Sequence, residues 1–457
     1  VIDKSVTSIN GEYNQKNGSF CECKSLKRIE INSQNLQIGC YAFHKCKSLI
    51  NISFNNHSSL ISIGEYAFCE CSSLKKIFIP SSLISIQSHT FMNCSCLTQV
   101  IFDIHSSLTS IEKCAFNGCN LLSHISIPPS VVSIKSYAFS NCPSLTQISF
   151  MKPSLLSTIE SNAFIGCPIE QIEIPPLVTM INENTFMNCS RLKMITLPSS
   201  VTLIGDCAFK CCSSLKNINI PVSVTTIGKK AFRKCTLLEE ISIPPFVKTI
   251  KFKAFSKCVS LKEVLFVSNS NLESIGDGCF KYCSSLQKVS LPFSVCSFGK
   301  SVFSNCSSLK QFLLGNESCI KQIEDSAFYE CTSLEEITIP SSVISIGEFA
   351  FSHCSSLHLV SFEYPSSLKE IKYEAFRGCS SLYKIIFPEN LVYIHSRAFY
   401  GCSLAEVIFP SSINIIGDEA FDKCTFLSEI EFYCKPKINN NSFPSSIRIN
   451  YRVNTNS

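Results

Sequence analysis

The stretch Cys71–Phe91 reads CSSLKKIFIPSSLISIQSHTF and contains one complete unit of a pattern that recurs along the chain. Within it, Leu74 and the segment Ile77–Ile79 form Leu-x-x-Ile-x-Ile, whose period of two and β-branched residues predict a short strand. Pro80 ends that strand, because proline cannot donate to a strand ladder. The next Leu-x-x-Ile step leads back to Phe91 through a segment too short for a long helix. We therefore expect a single helical turn or a second short strand there.

The motif Phe-x-x-Cys occurs once per repeat and therefore defines the repeat length. Eighteen copies occur between Phe20 and Cys424 at spacings of 22, 23 or 25 residues, and Phe443 adds a nineteenth phenylalanine without its cysteine. One such unit cannot bury its own Leu, Ile, Phe and Cys, so neighbouring units must stack. The sequence predicts a repeat solenoid: a right-handed horseshoe or arc of about 19 coils of 22–25 residues, with a parallel β-sheet on its concave face.

The predicted organisation has three parts. Residues 1–19 form a distorted partial repeat, 20–431 form the repeat array, and 432–457 form a more polar capping turn with a frayed tail. The chain starts at Val1 without Met or a charged-then-apolar leader, so we interpret its start as processed or truncated and draw no inference about compartment from it.

Composition excludes several classes of protein. Of 457 residues, 45% are apolar and only 16% are charged, which excludes a disordered chain. A formal charge of +5 without a block of basic residues argues against a nucleic-acid partner. Polar residues interrupt every apolar stretch before 18 positions, so no membrane-spanning segment is visible.

The 29 cysteines fall into two groups. Eighteen occupy the repeat position, where we expect a column of reduced, buried thiols. Eleven lie outside it and leave two alternatives open. One is zinc bound by the off-column Cys69 and Cys96 together with the column Cys71 and Cys94, which lack the usual two-residue spacing; the other is a lone disulfide between off-column cysteines in a secreted protein. We predict that the chain holds no metal and no cofactor.

No catalytic motif is present. The eight histidines are scattered, and the sequence contains no His-Glu-x-x-His, no Gly-x-Ser-x-Gly and no phosphate-binding loop. Ser-Ser pairs such as Ser355-Ser356 recur before the strand leucine, where hydroxyl groups are expected to satisfy the backbone of turns. The chain is predicted not to be an enzyme.

The segment Cys331–Cys354 reads CTSLEEITIPSSVISIGEFAFSHC and resembles the leucine-rich repeat of the BspA-like (Treponema pallidum-type) class. The resemblance covers nearly the whole chain. Gly347 follows the isoleucine here but Lys135 does so in another repeat, so no glycine with positive φ is required at that corner. Members of the family are cell-surface or secreted adhesins and antigens. The resemblance implies a surface or secreted location and binding to host or extracellular-matrix proteins; the alternative is a cytoplasmic leucine-rich repeat scaffold for protein–protein interaction.

In Leu-x-x-Ile-x-Ile the residues between the inward-facing positions should point to the concave face. Most are small and polar, so exposed apolar pairs there are candidate partner contacts. A second column, one position before the first isoleucine, gains acidic residues in the later coils and is a candidate contact for a basic partner. Isolated surface apolar residues and a solvated charged face are the alternative explanations. The candidate residues are Phe78 with Ile101, Leu265 with Leu313, Ile386 with Ile408, and the acidic set Glu240, Glu263 and Glu336.

Overall fold

A computed structural model describes residues 1–54, 59–267, 269–314 and 318–452. It divides into two compact units, Val1–Val224 and Thr225–Ser457, and each unit is a stack of coils. Most coils contribute one short strand to each of two parallel ladders, and the described residues contain no helix. The parallel-strand solenoid predicted from the repeat is confirmed. The polar tail at 454–457 lies outside the described residues.

In the first unit the first ladder is split into two four-stranded sheets, β4 to β10 and β12 to β18. Its strands are β4 Arg28–Ile31, β6 Asn51–Phe54, β8 Lys76–Ile79, β10 Gln99–Phe102, β12 His124–Ile127, β14 Gln147–Phe150, β16 Gln171–Glu173 and β18 Met194–Thr196. The second ladder consists of β1 Ser8–Ile9, β5 Leu36–Ile38, β7 Leu60–Ile63, β9 Ser85–Ile86, β11 Ser110–Ile111, β13 Ser133–Ile134, β15 Thr158–Ile159, β17 Met180–Ile181 and β19 Leu203–Ile204.

In the second unit the first ladder forms one four-stranded and one six-stranded sheet, β21 to β27 and β29 to β39. Its strands are β21 Glu240–Ile243, β23 Glu263–Phe266, β25 Lys288–Ser290, β27 Gln311–Leu313, β29 Glu336–Ile339, β31 Leu359–Phe362, β33 Lys384–Ile386, β35 Glu406–Phe409, β37 Glu429–Phe432 and β39 Arg448–Tyr451. The second ladder consists of β20 Thr226–Ile227, β22 Thr249–Ile250, β24 Ser274–Ile275, β26 Ser297–Phe298, β28 Gln322–Ile323, β30 Ser345–Ile346, β32 Glu370–Ile371, β34 Tyr393–Ile394, β36 Ile415–Ile416 and β38 Lys437–Ile438.

The first residues of the chain extend the stack in an altered form. Ile2 bridges in parallel to Ile31, and β1 pairs with β5. The extra residues before Phe20 form an antiparallel hairpin from β2 Gly11–Glu12 and β3 Asn17–Gly18. This hairpin is an insertion in a segment that otherwise follows the path of a repeat. It accounts for the large number of residues between Ile9 and Phe20.

Side chains alternate across the first ladder as period two requires. In β29 the residues Ile337 and Ile339 are buried, whereas Glu336 and Thr338 are exposed. Equivalent positions of neighbouring strands pair directly, as Ile337 does with Val360. The outward positions of this ladder form what we call the sheet face of each unit.

The return segment forms the second short strand and then a run of turns. Two residues in most of these coils have positive φ, and most of them are not glycine, for example Tyr66 at 58° and Glu70 at 60°. Their N–H groups point along the stack: Glu70 donates to the carbonyl oxygen of Met92 at 2.8 Å, and the intervening Phe68 donates to Thr90 at 3.0 Å. Hydrogen bonds between coils offset the cost of this backbone conformation, which is about 1–2 kcal/mol for a residue with a Cβ atom.

Repeat residues fill the core as columns. The repeat phenylalanines stack on one another, as Phe376 does on Phe351 and Phe399 at centroid distances of 5.1 Å. Glycines in the corner position, such as Gly64 and Gly347, do not have positive φ, which confirms the sequence prediction. Hydroxyl groups bridge coils as expected, since the Ser355 Oγ donates to the carbonyl oxygen of Thr332 at 3.4 Å.

Candidate protein-binding surface

The sheet face of the second unit carries an apolar pair on neighbouring strands. Ile386 on β33 and Ile408 on β35 are register partners, and both are outward residues in the strand alternation. Ile386 is 71% exposed and Ile408 is 43% exposed. The structure thus brings these two predicted residues together and leaves both in contact with solvent.

Two open grooves flank this pair. The first, of about 520 Å³, lies over β31, β33 and the loops that follow them, and its lining includes Phe362, Tyr364 and Tyr383. The second, of about 820 Å³, lies over β33 and β35 and extends to Tyr433. Ile386 lines both grooves. Two adjoining open grooves that share Ile386 suit the side chains of an extended segment.

Several residues of these grooves were missed by the sequence prediction. Tyr383 is 58% exposed and lies one position before Lys384, the residue of the second column on this strand. Tyr364 belongs to the loop after β31. Leu359, an exposed residue of the second column, lines the first groove. The available signal was the cluster of aromatic residues outside the repeat pattern in neighbouring coils, since such residues have no place in the core columns.

The other two predicted pairs are arranged less favourably. Phe78 and Ile101 are register partners in the first unit. Phe78 is partly covered, because its ring lies 6.4 Å from that of Phe54, so it is half-buried. Leu265 and Leu313 are both exposed, and the strand that carries Ser290 lies between theirs. Leu265 and Leu313 therefore do not form a continuous apolar patch.

The acidic residues do not form one cluster. Glu240 and Glu263 are register partners on β21 and β23, and Lys288 follows next to Glu263. Glu336 lies on another sheet, directly beside Leu359. Glu336 is therefore the member of the predicted acidic set that borders the apolar grooves.

A further acidic pair lies on the opposite side of the grooves. Glu406 on β35 is the register partner of Lys384 on one side and of Glu429 on the other. Carboxylates thus border the apolar patch from both directions. A partner with apolar side chains flanked by basic groups would complement this surface.

A groove in the first unit is also bordered by the loop of one of the longer repeats. It measures about 950 Å³ and is lined by residues of β14, β16 and β18, including Met194, and by the loop around Pro153. Lys152 and Glu173 at its edge form an ion pair of 2.9 Å. Like Tyr364, Lys152 belongs to one of the longer repeats, so the extra loop residues build the groove walls in both units.

The column cysteines are reduced and donate hydrogen bonds. Their thiols contact the carbonyl oxygen of the repeat phenylalanine one coil earlier, with sulfur–oxygen distances near 3 Å, as in Cys354 to Phe328 at 3.1 Å. Burial raises the pKa of Cys354 to about 12. The Cys354 thiol is therefore protonated at neutral pH and packs in the core.

Two off-column cysteines form a disulfide. Cys296 and Cys319 are bonded across neighbouring coils, with their Cα atoms 4.9 Å apart. This matches the disulfide alternative left open by the sequence. Among the described residues, no group of three or more His, Cys, Asp or Glu side chains is arranged to hold a metal ion.

Comparison with known proteins agrees with this architecture. The family described as "BspA type Leucine rich repeat region" matches residues 13–146, 100–158, 157–272, 266–363 and 356–456. No curated protein matches the chain. The described residues include no helix with the length and apolar character needed to cross a membrane.

Similar solved structures include leucine-rich repeat proteins of bacteria. A leucine-rich repeat protein from Bacteroides ovatus is 25% identical with a TM-score of 0.59, covering 99% of this chain and 97% of that one. A leucine-rich repeat protein of T. pallidum is 25% identical with a TM-score of 0.30, covering 51% of this chain and 83% of that one. A leucine-rich cell surface protein from Faecalibacterium prausnitzii is 22% identical with a TM-score of 0.31, covering 91% and 82%.

Proposed function

Because the chain belongs to the BspA-type leucine-rich repeat family, we propose that it is a non-catalytic, surface-exposed or secreted adhesin that binds a host or extracellular-matrix protein on its sheet face. The observation that carries this proposal is the exposure of Ile386 between two grooves. At 71% exposure the Ile386 side chain adds little buried apolar surface to the fold. Contiguous exposed apolar surface of this kind typically marks a partner site.

The proposed contact is an extended segment of the partner. Its apolar side chains fill the grooves beside Tyr383 and Ile386, where aromatic and aliphatic groups supply contact area with few rotatable bonds. Its basic residues meet Glu336 on one side and Glu406 on the other. Phe78 with Ile101 in the first unit, and Leu265 and Leu313 as separate residues in the second, are further proposed contacts, each on the sheet face of its own unit.

The disulfide supports the proposed location. Cys296 is exposed, and a disulfide at such a position persists in oxidising compartments but is reduced in the cytosol. Surface proteolysis of intact cells tests this part of the proposal. Cleavage of the protein in intact cells is expected, whereas full protection would favour the intracellular scaffold.

Binding itself is tested with purified extracellular-matrix proteins and the Ile386→Lys variant. A lysine in the grooves would have to be desolvated by the partner, so we expect at least a tenfold loss of affinity, about 1.4 kcal/mol or more. The matched control is Ile84→Lys, which makes the same change at an isoleucine 60% exposed in the first unit. Equal affinities of the two variants for the captured partner would refute the assignment of the site.

The proposed contact between basic groups of the partner and the acidic residues is tested separately. The variant combines Glu240→Gln, Glu263→Gln and Glu336→Gln. If basic groups of the partner dock there, affinity falls and its dependence on salt becomes weaker. The control combines Glu65→Gln, Glu112→Gln and Glu183→Gln, which remove the same charge from the first unit. Unchanged affinity and salt dependence in the first variant would overturn the docking of a basic partner at these residues.

A further inference from the structure

A second surface of the second unit lies at the turns that carry the positive-φ residues. Six basic side chains are gathered there on three successive coils, and we call them the basic corner. They are Lys230, Arg233, Lys234, Lys253, Lys257 and Lys281. This surface is distinct from the sheet face and its grooves.

The stacking of coils sets the spacing of these charges. Behind the corner, the rings of Phe232, Phe255 and Phe280 stack at centroid distances of 5.2 and 5.5 Å. Basic side chains at equivalent repeat positions therefore recur along the stack at about one coil spacing, near 5 Å. Lys230 with Lys253 and Lys234 with Lys257 are such pairs on neighbouring coils, whereas Arg233 and Lys281 are equivalent positions two coils apart, with Ser256 between them.

Aromatic rings hold the lysines in place. The ammonium group of Lys253 lies 4.6 Å from the ring centroid of Phe252, and that of Lys230 lies 5.6 Å from it. Tyr282 is likewise contacted by the ammonium groups of Lys257 at 5.3 Å and Lys281 at 5.4 Å. Cation–π contacts of this type fix the positions of otherwise flexible side chains.

A glycine makes room for the central lysine. A Cβ atom at Gly278, whose φ is +58°, would lie 3.2 Å from the Cγ atom of Lys253 and 3.7 Å from the Cβ atom of Lys281. The Lys253 side chain thus crosses the neighbouring coil at a position without a side chain. The central charge is built into the surface and is half-buried there.

The positive charge of the corner is poorly balanced. Among the described residues, the ion pairs nearest in sequence use Lys262 with Glu239 and Lys300 with Asp325, and none uses the six basic residues. Asp277 is an acidic neighbour of Lys253, and its carboxylate accepts a hydrogen bond from the Lys300 backbone N–H at 2.9 Å.

The charge of Lys253 carries a cost in the free protein. Burial lowers the pKa of Lys253, and the neighbouring charges of Arg233, Lys281 and Lys230 lower it further, although Asp277 opposes them. An anion bound at the corner would relieve this repulsion. The geometry therefore favours a ligand that presents several negative charges in a row.

We propose that the basic corner binds a linear sulfated polysaccharide. Its sulfate groups are ionised at every physiological pH and recur along a flexible chain, so they can meet one or two basic groups on each coil. A nucleic acid fits less well, because the ring faces that bases would stack on are occupied by ammonium groups. The small net charge of +5 also gives the chain little overall attraction for the phosphate backbone of a duplex.

The test uses heparin as the probe and the variant Lys253→Gln, Lys257→Gln, Lys281→Gln. We expect its dissociation constant for heparin to rise at least tenfold, and the slope of log affinity against log salt to fall by about two to three, roughly one per lost contact. The matched control is Lys288→Gln, Lys310→Gln, Lys321→Gln, which removes three exposed charges elsewhere in the same unit. Its dissociation constant should change by less than twofold.

Two outcomes would overturn the proposal. Equal losses in both triple variants would show that net charge alone attracts heparin. Duplex DNA that binds as tightly as heparin and depends on the same three lysines would assign the corner to nucleic acid. If the triple variant does not reach the native melting temperature, the single variant Lys257→Gln and the charge-retaining variant Lys257→Arg decide, since only the first should weaken heparin binding.

Discussion

The thiol of Cys94 donates a hydrogen bond to the carbonyl oxygen of Phe68 one coil earlier, at a sulfur–oxygen distance of 3.1 Å. The same carbonyl oxygen accepts the backbone N–H of Cys71 at 3.2 Å. The Phe68 carbonyl oxygen thus accepts two hydrogen bonds. The bond from Cys94 joins two coils, and the bond from Cys71 closes the turn within its own coil. The contact explains why cysteine recurs at this position, since alanine or valine would fill part of the space but could not donate.

Substitution of Cys94 separates the hydrogen bond from the packing. Cys94→Ala removes the donor and leaves a small cavity, so we expect the free energy of unfolding to fall by about 1–2 kcal/mol. Cys94→Ser retains a donor, although the hydroxyl reaches less far than the thiol, and should cost less than Cys94→Ala. Urea unfolding monitored by circular dichroism measures both.

The control for this series is Cys96→Ala, because Cys96 is only half-buried. A change within about 0.5 kcal/mol is expected there. If Cys94→Ser proved less stable than Cys94→Ala, the hydrogen bond to Phe68 would not be the reason for cysteine at the column.

Stability should fall at alkaline pH because the buried thiols of Cys354 and Cys306 stay neutral in the folded state. Burial raises the pKa of Cys354 and of Cys306 from 9.0 to about 12. Both states hold the proton below pH 9, so these groups leave stability unchanged there. Between pH 9 and 12 only the unfolded chain releases the proton, so stability decreases as pH rises, by about 1.4 kcal/mol per pH unit for each such thiol.

The measurement is the urea midpoint at pH 7.5, 9 and 10.5 in the presence of a phosphine reductant. Cys354→Ala removes one such thiol and should show a shallower decline above pH 9 than the parent chain. An equal midpoint at pH 7.5 and 10.5 in the parent chain would contradict the prediction.

The repeat positions could be predicted from sequence because one environment is sampled many times. Leu74, Ile77 and Phe91 lie in columns whose members are nearly identical, so the strand, its inward face and the stacking direction follow from periodicity alone. The positive-φ residues could not be predicted in this way. Tyr66 and Glu70 have that conformation for backbone hydrogen bonds between coils, and such bonds place no constraint on side-chain type.

The candidate site was predictable only in part. Ile386 and Ile408 could be found because their position in the repeat fixes the face on which they lie, and register pairs them. The grooves beside them could not, because their walls come from Tyr364 and Tyr383, residues of a loop and of a variable position. Their location depends on the path of an extra loop segment, which the repeat does not specify.

The disulfide should stabilise the second unit measurably. Cys296 and Cys319 are separated by 23 residues, and closing a loop of that size restricts the unfolded chain by up to about 3 kcal/mol. We expect Cys319→Ser to lower the urea midpoint of the oxidised protein to that of the reduced parent chain. Cys434→Ser, a change at a half-buried free cysteine, is the control and should leave the difference between oxidised and reduced protein intact.

The phenylalanine column should dominate the stability of each unit. Phe376 is fully buried between Phe351 and Phe399, with ring centroids 5.1 Å away on both sides. Phe376→Ala removes two stacking contacts and opens a cavity, so we expect a loss of about 3–5 kcal/mol, whereas Phe376→Leu should lose about half of that. The same substitution at Phe426, which is 65% exposed, should change stability by less than about 0.5 kcal/mol. Because a repeat stack is held by contacts between neighbours, the alanine variant should also show a broadened urea transition as coils beyond residue 376 detach first. A sharp transition with an unchanged midpoint would mean that the column does not couple the coils.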